Sequence, residues 1–341
     1  MKQCPTAIQN DDLKSAVSAL RSAEQILVIS HMVPDGDSVG ALLALGLGLL
    51  QIGKKVQMCT PDRVPEIYHF LEGQELIIQP TSIMTIPELV VMIDCTDFDR
   101  IGVVLSQRIM NHTAVINLDH HISNRRFGTI NYIDTKAAAS AEIIYQIIID
   151  LGVQIDQAIA NALYTGIITD TGSFQFSNTT PQSFRIAAFL IEAGADLDLI
   201  REKLYESQPI SMIRLLGVLL SQMEITAQGQ IAWMAVDQNL LAAHAIESDT
   251  GWFEGLINYP RSVEGVELAI LFREIAPQVI KVGFRSKTTM DVNQLAGRLG
   301  GGGHRKASGC VLLGSLEEVS KKVLAVAMTG IEEWRESEAA K

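Results

Sequence analysis

Hydrophobic and polar positions fall into two textures along this chain. In the first, unbroken apolar runs at 26–30 (ILVIS), 89–93 (LVVMI) and 114–118 (AVINL), with a more mixed run at 55–60, read as strands of a buried parallel sheet. Helical spacing predicts helices at 11–22, 38–51, 139–151, 155–169 and 181–192, while Pro61, Pro65, Pro80 and Pro87 break the stretch after the second strand. Gly194, Ala195 and Asp196 read as a helix stop and a new cap, and helical spacing resumes at 197–205 and 210–223. Such βα alternation predicts an α/β fold with a doubly wound parallel sheet. Beyond 223 the texture changes. Strands at 223–226, 231–237, 267–274 and 279–285 alternate apolar with polar, with a hairpin at 227–230 and helices at 239–245, 251–258, 291–299 and 315–332. The expected organisation is a domain over 1–194, a helical connector over 195–222 and a smaller α+β domain over 223–341.

Polar residues sit where the apolar runs end. His31, Asp35 and Asp37 follow the first strand as H-x-x-x-D-x-D, Asp94 follows the third, Asp119-His120-His121 the fourth, and Asp170 lies in GIITDTG. Any one of these alone reads as a helix cap or a polar loop residue. Together they belong to the crevice at the carboxyl ends of an open parallel sheet, where ligands bind. So many carboxylates cannot stay ionised side by side without cations to offset them, so the pattern asks for divalent metal, and for two ions. No Ser-His-Asp or Cys-His nucleophile arrangement is visible.

Composition narrows the class. A chain of 341 residues with 48% hydrophobic content is globular and long enough for two cores. The longest apolar stretch, 41–52, is too short to span a bilayer and the amino terminus has no secretory run, so no membrane association is expected. Cys4, Cys59, Cys95 and Cys310 are scattered, which suits a reducing cytoplasm. A net charge of −12 argues against a surface that coats nucleic acid. Positive charge is concentrated over 281–306, with six Lys/Arg against Asp291 alone. That cluster is either a solvated face or a grip for a small anion; the glycine run beside it favours the grip.

That run, Gly300-Gly301-Gly302-Gly303-His304-Arg305-Lys306, is unsuited to helix or strand and predicts close approach of backbone to a ligand such as a phosphate. The scattered Trp233, Trp252 and Trp334, and His69, His112 and His244, read as packing or surface residues; Asp97 and Asp99 read as helix caps.

The motifs, Asp119-His120-His121 above all, resemble the DHH phosphoesterase superfamily, and the FRS and GGGH segments resemble its DHH-associated C-terminal domain. The resemblance implies that His31, Asp35 and Asp94 hold one ion and that Asp37, Asp94, His120 and Asp170 hold the other, with Asp94 shared. It implies that His121 faces the substrate, that Asp119 orients a ligand histidine, and that Arg285, Ser286, Gly302, Gly303 and His304 contact the nucleotide. Imidazole and carboxylate donors together suit Mn²⁺ best, with Mg²⁺, Co²⁺, Zn²⁺ or Fe²⁺ compatible. Two ions about 3.5–4 Å apart would activate a water and clamp a phosphoryl oxygen.

Size and motif set resemble the compact NrnA-like members. These imply hydrolysis of very short oligoribonucleotides to mononucleotides and removal of the 3′-phosphate of 3′-phosphoadenosine 5′-phosphate, in a cytoplasmic homodimer that takes no long duplex. Cleavage of pApA or cyclic dinucleotides is the alternative on the same scaffold, and a nucleotide sensor without turnover is the rival from another class.

Overall fold

The computed structural model describes residues 13–110, 114–246, 253, 255–303 and 305–340. The chain divides into two compact units, Met1–Glu206 and Ser207–Lys341.

The first unit runs α1 (Leu13–Ser22), β1 (Gln25–Ile29), α2 (Gly36–Gln51), β2 (Lys55–Cys59), β3 (Ile77–Ile78), β4 (Leu89–Ile93), α3 (Val103–Ile109), β5 (Ala114–Asp119), β6 (Ile130–Ile133), α4 (Ser140–Leu151), α5 (Gln157–Asp170), α6 (Pro181–Glu192) and α7 (Leu197–Arg201). Its sheet has the order β3-β2-β1-β4-β5-β6 and every pairing is parallel. Side-chain alternation explains the continuous apolar runs. Val28, Val91, Ile93, Ile116 and Leu118 join a core with α1, α2, α4, α5 and α6. Leu27, Ile29, Val90, Met92 and Val115 point into a smaller core with Leu105 and Ile109 of α3. Both faces are therefore covered, as a parallel sheet requires.

Helix α2 is apolar on all sides because it is buried on all sides. It crosses α5 so closely that a Cβ on Gly40 would stand 2.3 Å from the Ala162 carbonyl oxygen. The strand order reverses direction between β1 and β4, and the crevice at that switch point is where β1 releases His31 and β4 releases Asp94. Short strand β6 and helix α3 lie outside the elements expected from the pattern.

The second unit contains α8 (Ile210–Ser221), β7 (Glu224–Thr226), β8 (Ile231–Val236), α9 (Gln238–Ala243), α10 (Asn258–Ser262), β9 (Leu268–Ala276), β10 (Val279–Ser286), α11 (Val292–Gly297), β11 (Gly302–Gly303), β12 (Ala307–Leu313) and α12 (Leu316–Ala339). Its sheet has the order β11-β12-β10-β9-β8-β7, with β8 and β9 parallel and the other pairs antiparallel. Leu268, Ile270, Phe272, Ile280, Val282 and Phe284 face a core shared with α11 and α12. Ala269 and Leu271 face a second core, shared with α8, α9 and the region of α10.

Three expectations need correction here. The helical segment at 195–222 is not a separate connector: Ile200 and Leu204 pack into the first unit's core, and Met212, Leu215 and Leu219 into the second's. Of the helix expected at 251–258, residues 251, 252 and 254 lie outside the described residues, 255–257 form a turn, and the helix α10 begins only at Asn258. The glycine run does form a strand, β11, in register Gly302 with Gly309 and Gly303 with Ser308. Glycine is needed there because a Cβ on Gly301 would sit 2.1 Å from the Gly309 carbonyl oxygen, and one on Gly303 2.7 Å from that of Ala307. The close backbone approach is thus first to the domain's own strand β12.

Candidate metal centre

The carboxyl ends of β1, β4 and β5 and the amino end of α2 bring the first unit's acids and imidazoles together. The donor atoms of His31, Asp35 and Asp94 lie within 4.8 Å of one another, as do those of Asp37, His120 and Asp170, and those of Asp94, Asp119, His120 and His121. Asp35 caps α2, accepting from Ser38 N at 2.9 Å, and this directs its other oxygen toward His31. Asp37 is buried in the first turn of α2, and its two oxygens accept the N–H groups of Ser140 and Ala141 at 2.6 and 2.9 Å. Asp94 sits at φ +58, a backbone conformation rarely taken by side-chain-bearing residues, with its N–H bonded to Leu118 O.

The ring orientations test whether a cation fits. His31 Nδ1 lies 2.7 Å from Met32 O and His120 Nδ1 lies 3.3 Å from Ala137 O; a carbonyl only accepts, so both Nδ1 atoms carry the hydrogen. Each Nε2 then turns toward carboxylate oxygen. His31 Nε2 is 3.2 Å from Asp94 Oδ2 and 3.7 Å from Asp35 Oδ2. His120 Nε2 is 3.6, 3.9 and 3.7 Å from oxygens of Asp94, Asp37 and Asp170. Neutral imidazole lone pairs aimed at carboxylate lone pairs repel unless a proton or a cation lies between them. This donor set is able to bind divalent metal.

The electrostatics carry the same strain. Burial, then the charges of Asp94, Asp170 and Asp35, push the Asp37 carboxyl well above the usual carboxylate range. Burial also raises Asp170 to about 6, against the opposing pull of His120. Burial would raise Asp94 too, but hydrogen bonds with His121 and His31 outweigh it and hold that carboxyl well below the usual range. His31 and His121 are lowered by burial, yet their hydrogen-bonded carboxylates lift both above an ordinary histidine.

Asp119 corrects one expectation. Its Oδ1 accepts His121 Nδ1 at 2.7 Å and the backbone N–H groups of His120 and His121, so the ring it orients is that of His121. The ring of His120 is steered by the Ala137 carbonyl instead. Asn124 holds Asp119 in turn, donating to Oδ2 at 2.6 Å, and also reaches Asn117 Oδ1. Ser140 Oγ donates to Asp94 Oδ1 at 3.0 Å. Asn124 and Ser140 were absent from the sequence candidates. A readable signal existed for Asn117, a polar residue inside an apolar strand, and for Ser140, which opens a helix after a run of alanines. Asp97 caps the turn at 98–101, as expected.

In the second unit Arg285 pairs with Ala269 and so projects to the α8–α10 side of the sheet, half-buried, with Nη1 donating to Phe284 O at 3.0 Å. Ser286 faces the other way. It pairs with Leu268 on the opposite, helix-covered face, and its hydroxyl is buried without a hydrogen-bond partner among the described residues. Gly302 and Gly303 are exposed, and His304 lies outside the described residues. The basic cluster is also divided: Arg298 is paired with Glu333 of α12, and Arg305 donates to Thr289 O. Trp233 packs edge-on against Phe272 and Trp334 donates to Thr289 Oγ1; Trp252 and His112 lie outside the described residues.

Comparison with known proteins agrees with this architecture. The DHH family N-terminal domain model matches residues 25–167 and the DHHA1 domain model matches residues 237–329. The chain is 32% identical to a bifunctional oligoribonuclease and PAP phosphatase NrnA from Thermus thermophilus, over 92% of this chain and 93% of that protein. It is 26% identical to a probable enzyme of the same name from Streptococcus mutans, over 87% of this chain and 92% of that one. Among solved structures, an exopolyphosphatase-related protein from Bacteroides fragilis superposes with a TM-score of 0.85 at 26% identity, covering 94% of this chain and 96% of its own.

Proposed function

We propose that this chain, which belongs to the DHH family, is a metal-dependent phosphoesterase that hydrolyses short oligoribonucleotides to mononucleotides and removes the 3′-phosphate of 3′-phosphoadenosine 5′-phosphate. The observation that carries the reading is the convergence of His31 and His120 Nε2 on the oxygens of Asp35, Asp37, Asp94 and Asp170 at 3.2–3.9 Å. His31, Asp35 and Asp94 would hold one ion and Asp37, Asp94, His120 and Asp170 the second, with Mn²⁺ the best match to the donors. Bound there, two such ions supply an activated water and charge neutralisation for attack at phosphorus.

The chain's own groups divide the remaining work. Asp119 and Asp94 fix Nδ1–H of His121 at 2.7 and 3.3 Å, and the ring so held would donate a proton through Nε2 to the phosphoryl group or the departing oxygen. Asn124 and Asp119 keep the ring from turning. In the second unit, Arg285 offers a planar fork for a terminal phosphate, and the exposed backbone of Gly302 and Gly303, with His304 beside it, offers further nucleotide contacts. Cys59, Cys95 and Cys310 are buried free thiols, which supports a reducing cytoplasm as the place of work. A homodimer belongs to the same reading.

The deciding experiment compares rates on a diribonucleotide, pApA, cyclic di-AMP and 3′-phosphoadenosine 5′-phosphate with Mn²⁺, before and after chelation. The expected result is turnover of the diribonucleotide and the bisphosphate that chelation abolishes. Binding without product under every condition would make this a nucleotide sensor instead.

A further inference from the structure

We propose that Glu142 and Asn178, which brace the turn that opens α4, position one of the two ion sites while leaving the other untouched, whereas the Ser140 hydroxyl, on the shared Asp94, serves both. The inference rests on the two-ion reading above. The segment 137–142 reaches three of the expected ligands. Ala137 O accepts from His120 Nδ1, the N–H groups of Ser140 and Ala141 hold both oxygens of Asp37, and Ser140 Oγ donates to Asp94 Oδ1. The other site is built differently: His31 is turned by Met32 O and Asp35 by its own cap with Ser38.

Glu142 touches none of the expected ligands. Its side chain is buried, and Oε2 accepts Ala138 N at 3.2 Å, tying the turn back onto the helix that follows. That bond sets where Ala137 presents its carbonyl and where α4 presents its first N–H groups. Asn178 reinforces the same turn from outside, its Nδ2 donating to Ala138 O and to Asp170 O, both at 3.0 Å. One turn thus joins Asp37, Asp94, His120 and Asp170. A buried carboxylate is a costly acceptor, even with the Ser183 side chain and the Ala138 N–H both supporting it. Beneath a cation site that cost is offset, as carboxylates behind metal-bound histidines commonly are. Ser140, Glu142 and Asn178 are positioning residues: each acts through a ligand or through the turn that presents it.

The test is a Mn²⁺ titration of the metal-free full chain, read by loss of the free-ion paramagnetic resonance signal, with the melting temperature measured in parallel. For Glu142→Ala, one of two ions should weaken about 10–100-fold, the usual effect of losing such a partner, while the other keeps its affinity; Ser140→Ala, which loses a bond to the shared Asp94, should weaken both. Glu142→Gln retains an acceptor oxygen and should fall between wild type and alanine. Asn178 is exposed, so Asn178→Ala gives the same selective loss even if a buried variant melts early. Equal weakening of both ions in Glu142→Ala and Asn178→Ala, no weakening, or a glutamine variant no better than alanine would overturn the proposal. Substrate assays are read separately. A protein that takes up two ions yet hydrolyses nothing sinks the phosphoesterase reading, while the variants still decide this one.

Discussion

His31 presents Nε2 to Asp94 Oδ2 at 3.2 Å while its Nδ1 is committed to Met32 O, so the pair shares either a proton or a cation. The same holds for His120 and its three carboxylates, and it makes the metal-free centre a store of bound protons. Asp170 is raised from 3.8 to about 6, and burial with the neighbouring carboxylates pushes Asp37 well above the usual carboxylate range. A carboxyl whose folded-state pKa exceeds its unfolded one favours the folded chain at low pH, and that contribution fades as pH rises through the folded value. The metal-free protein should therefore lose stability between about pH 4 and about pH 6, a window set by Asp170. Mn²⁺ should restore it, binding more tightly as pH rises because protons no longer compete. Melting temperature against pH, with and without Mn²⁺, checks both; Asp170→Asn should flatten the metal-free curve.

Removing His121 should separate metal holding from chemistry. Its ring is fixed through Nδ1 by Asp119 and is more exposed than that of His120. His121→Ala is expected to keep both ions by elemental analysis while kcat falls about 10²–10⁴-fold, the usual worth of a positioned acid or base. Loss of metal in step with activity would move His121 among the ligands.

Arg285 makes the complementary case in the second unit. A charged hydrogen bond contributes about 1.5–3 kcal/mol, so Arg285→Ala should raise KM for a dinucleotide roughly 10–100-fold with little change in metal content. Arg285→Lys should recover only part, since an ammonium cannot form the fork. Unchanged KM would remove Arg285 from the substrate contacts.

Val33 holds φ +55 at the tip of the loop between His31 and Asp35, secured by its N–H to Asp62 Oδ2 at 2.7 Å. A β-branched residue is poorly suited to the left-handed region, which costs an L-residue about 1–2 kcal/mol. With 48% of the side chain exposed, little packing offsets that cost. Val33→Asn should therefore stabilise the chain by about 1 kcal/mol in urea titration. A destabilised variant would mean that the valine side chain makes contacts worth more than the strain.

How far the chain could be read varies with the kind of signal. Strand β4 and helix α6 fall on the residues expected, 89–93 and 181–192, because an unbroken apolar run and a Pro-initiated amphipathic helix each declare both ends. The clusters at His31–Asp37, Asp94 and Asp119–His121 were legible because each follows a strand and the sheet itself brings strand ends together, whereas Asp170 closes helix α5. Strand β12 was not, since Ser308, Gly309 and Cys310 give little strand preference; it forms by pairing with seven consecutive residues of β10. Ser140 acts through a bond to the distant Asp94, and Asn124 and Asn178 through bonds made across irregular turns to Asp119 and Asp170; no spacing rule reports such contacts. Ser286 and Arg285, adjacent in one strand, face opposite ways, which their nearness in sequence conceals.

Gly166 links the packing of the helices to the centre itself. A Cβ at this position would lie 2.7 Å from the Ala141 Cβ and 3.0 Å from Asp37 Oδ1. Neither neighbour can retreat freely, since Ala141 belongs to α4 and Asp37 is bound to the N–H groups of that helix. Gly166→Ala should then cost about 1–3 kcal/mol of stability by overpacking. It should also push Asp37 off its N–H partners, weakening the ion that Asp37 helps to hold more than the ion at His31 and Asp35. Thermal melts and a Mn²⁺ titration of the same preparation measure the two effects together. A stability loss with both ions bound as in wild type would show that Asp37 moves with α4 and keeps its geometry.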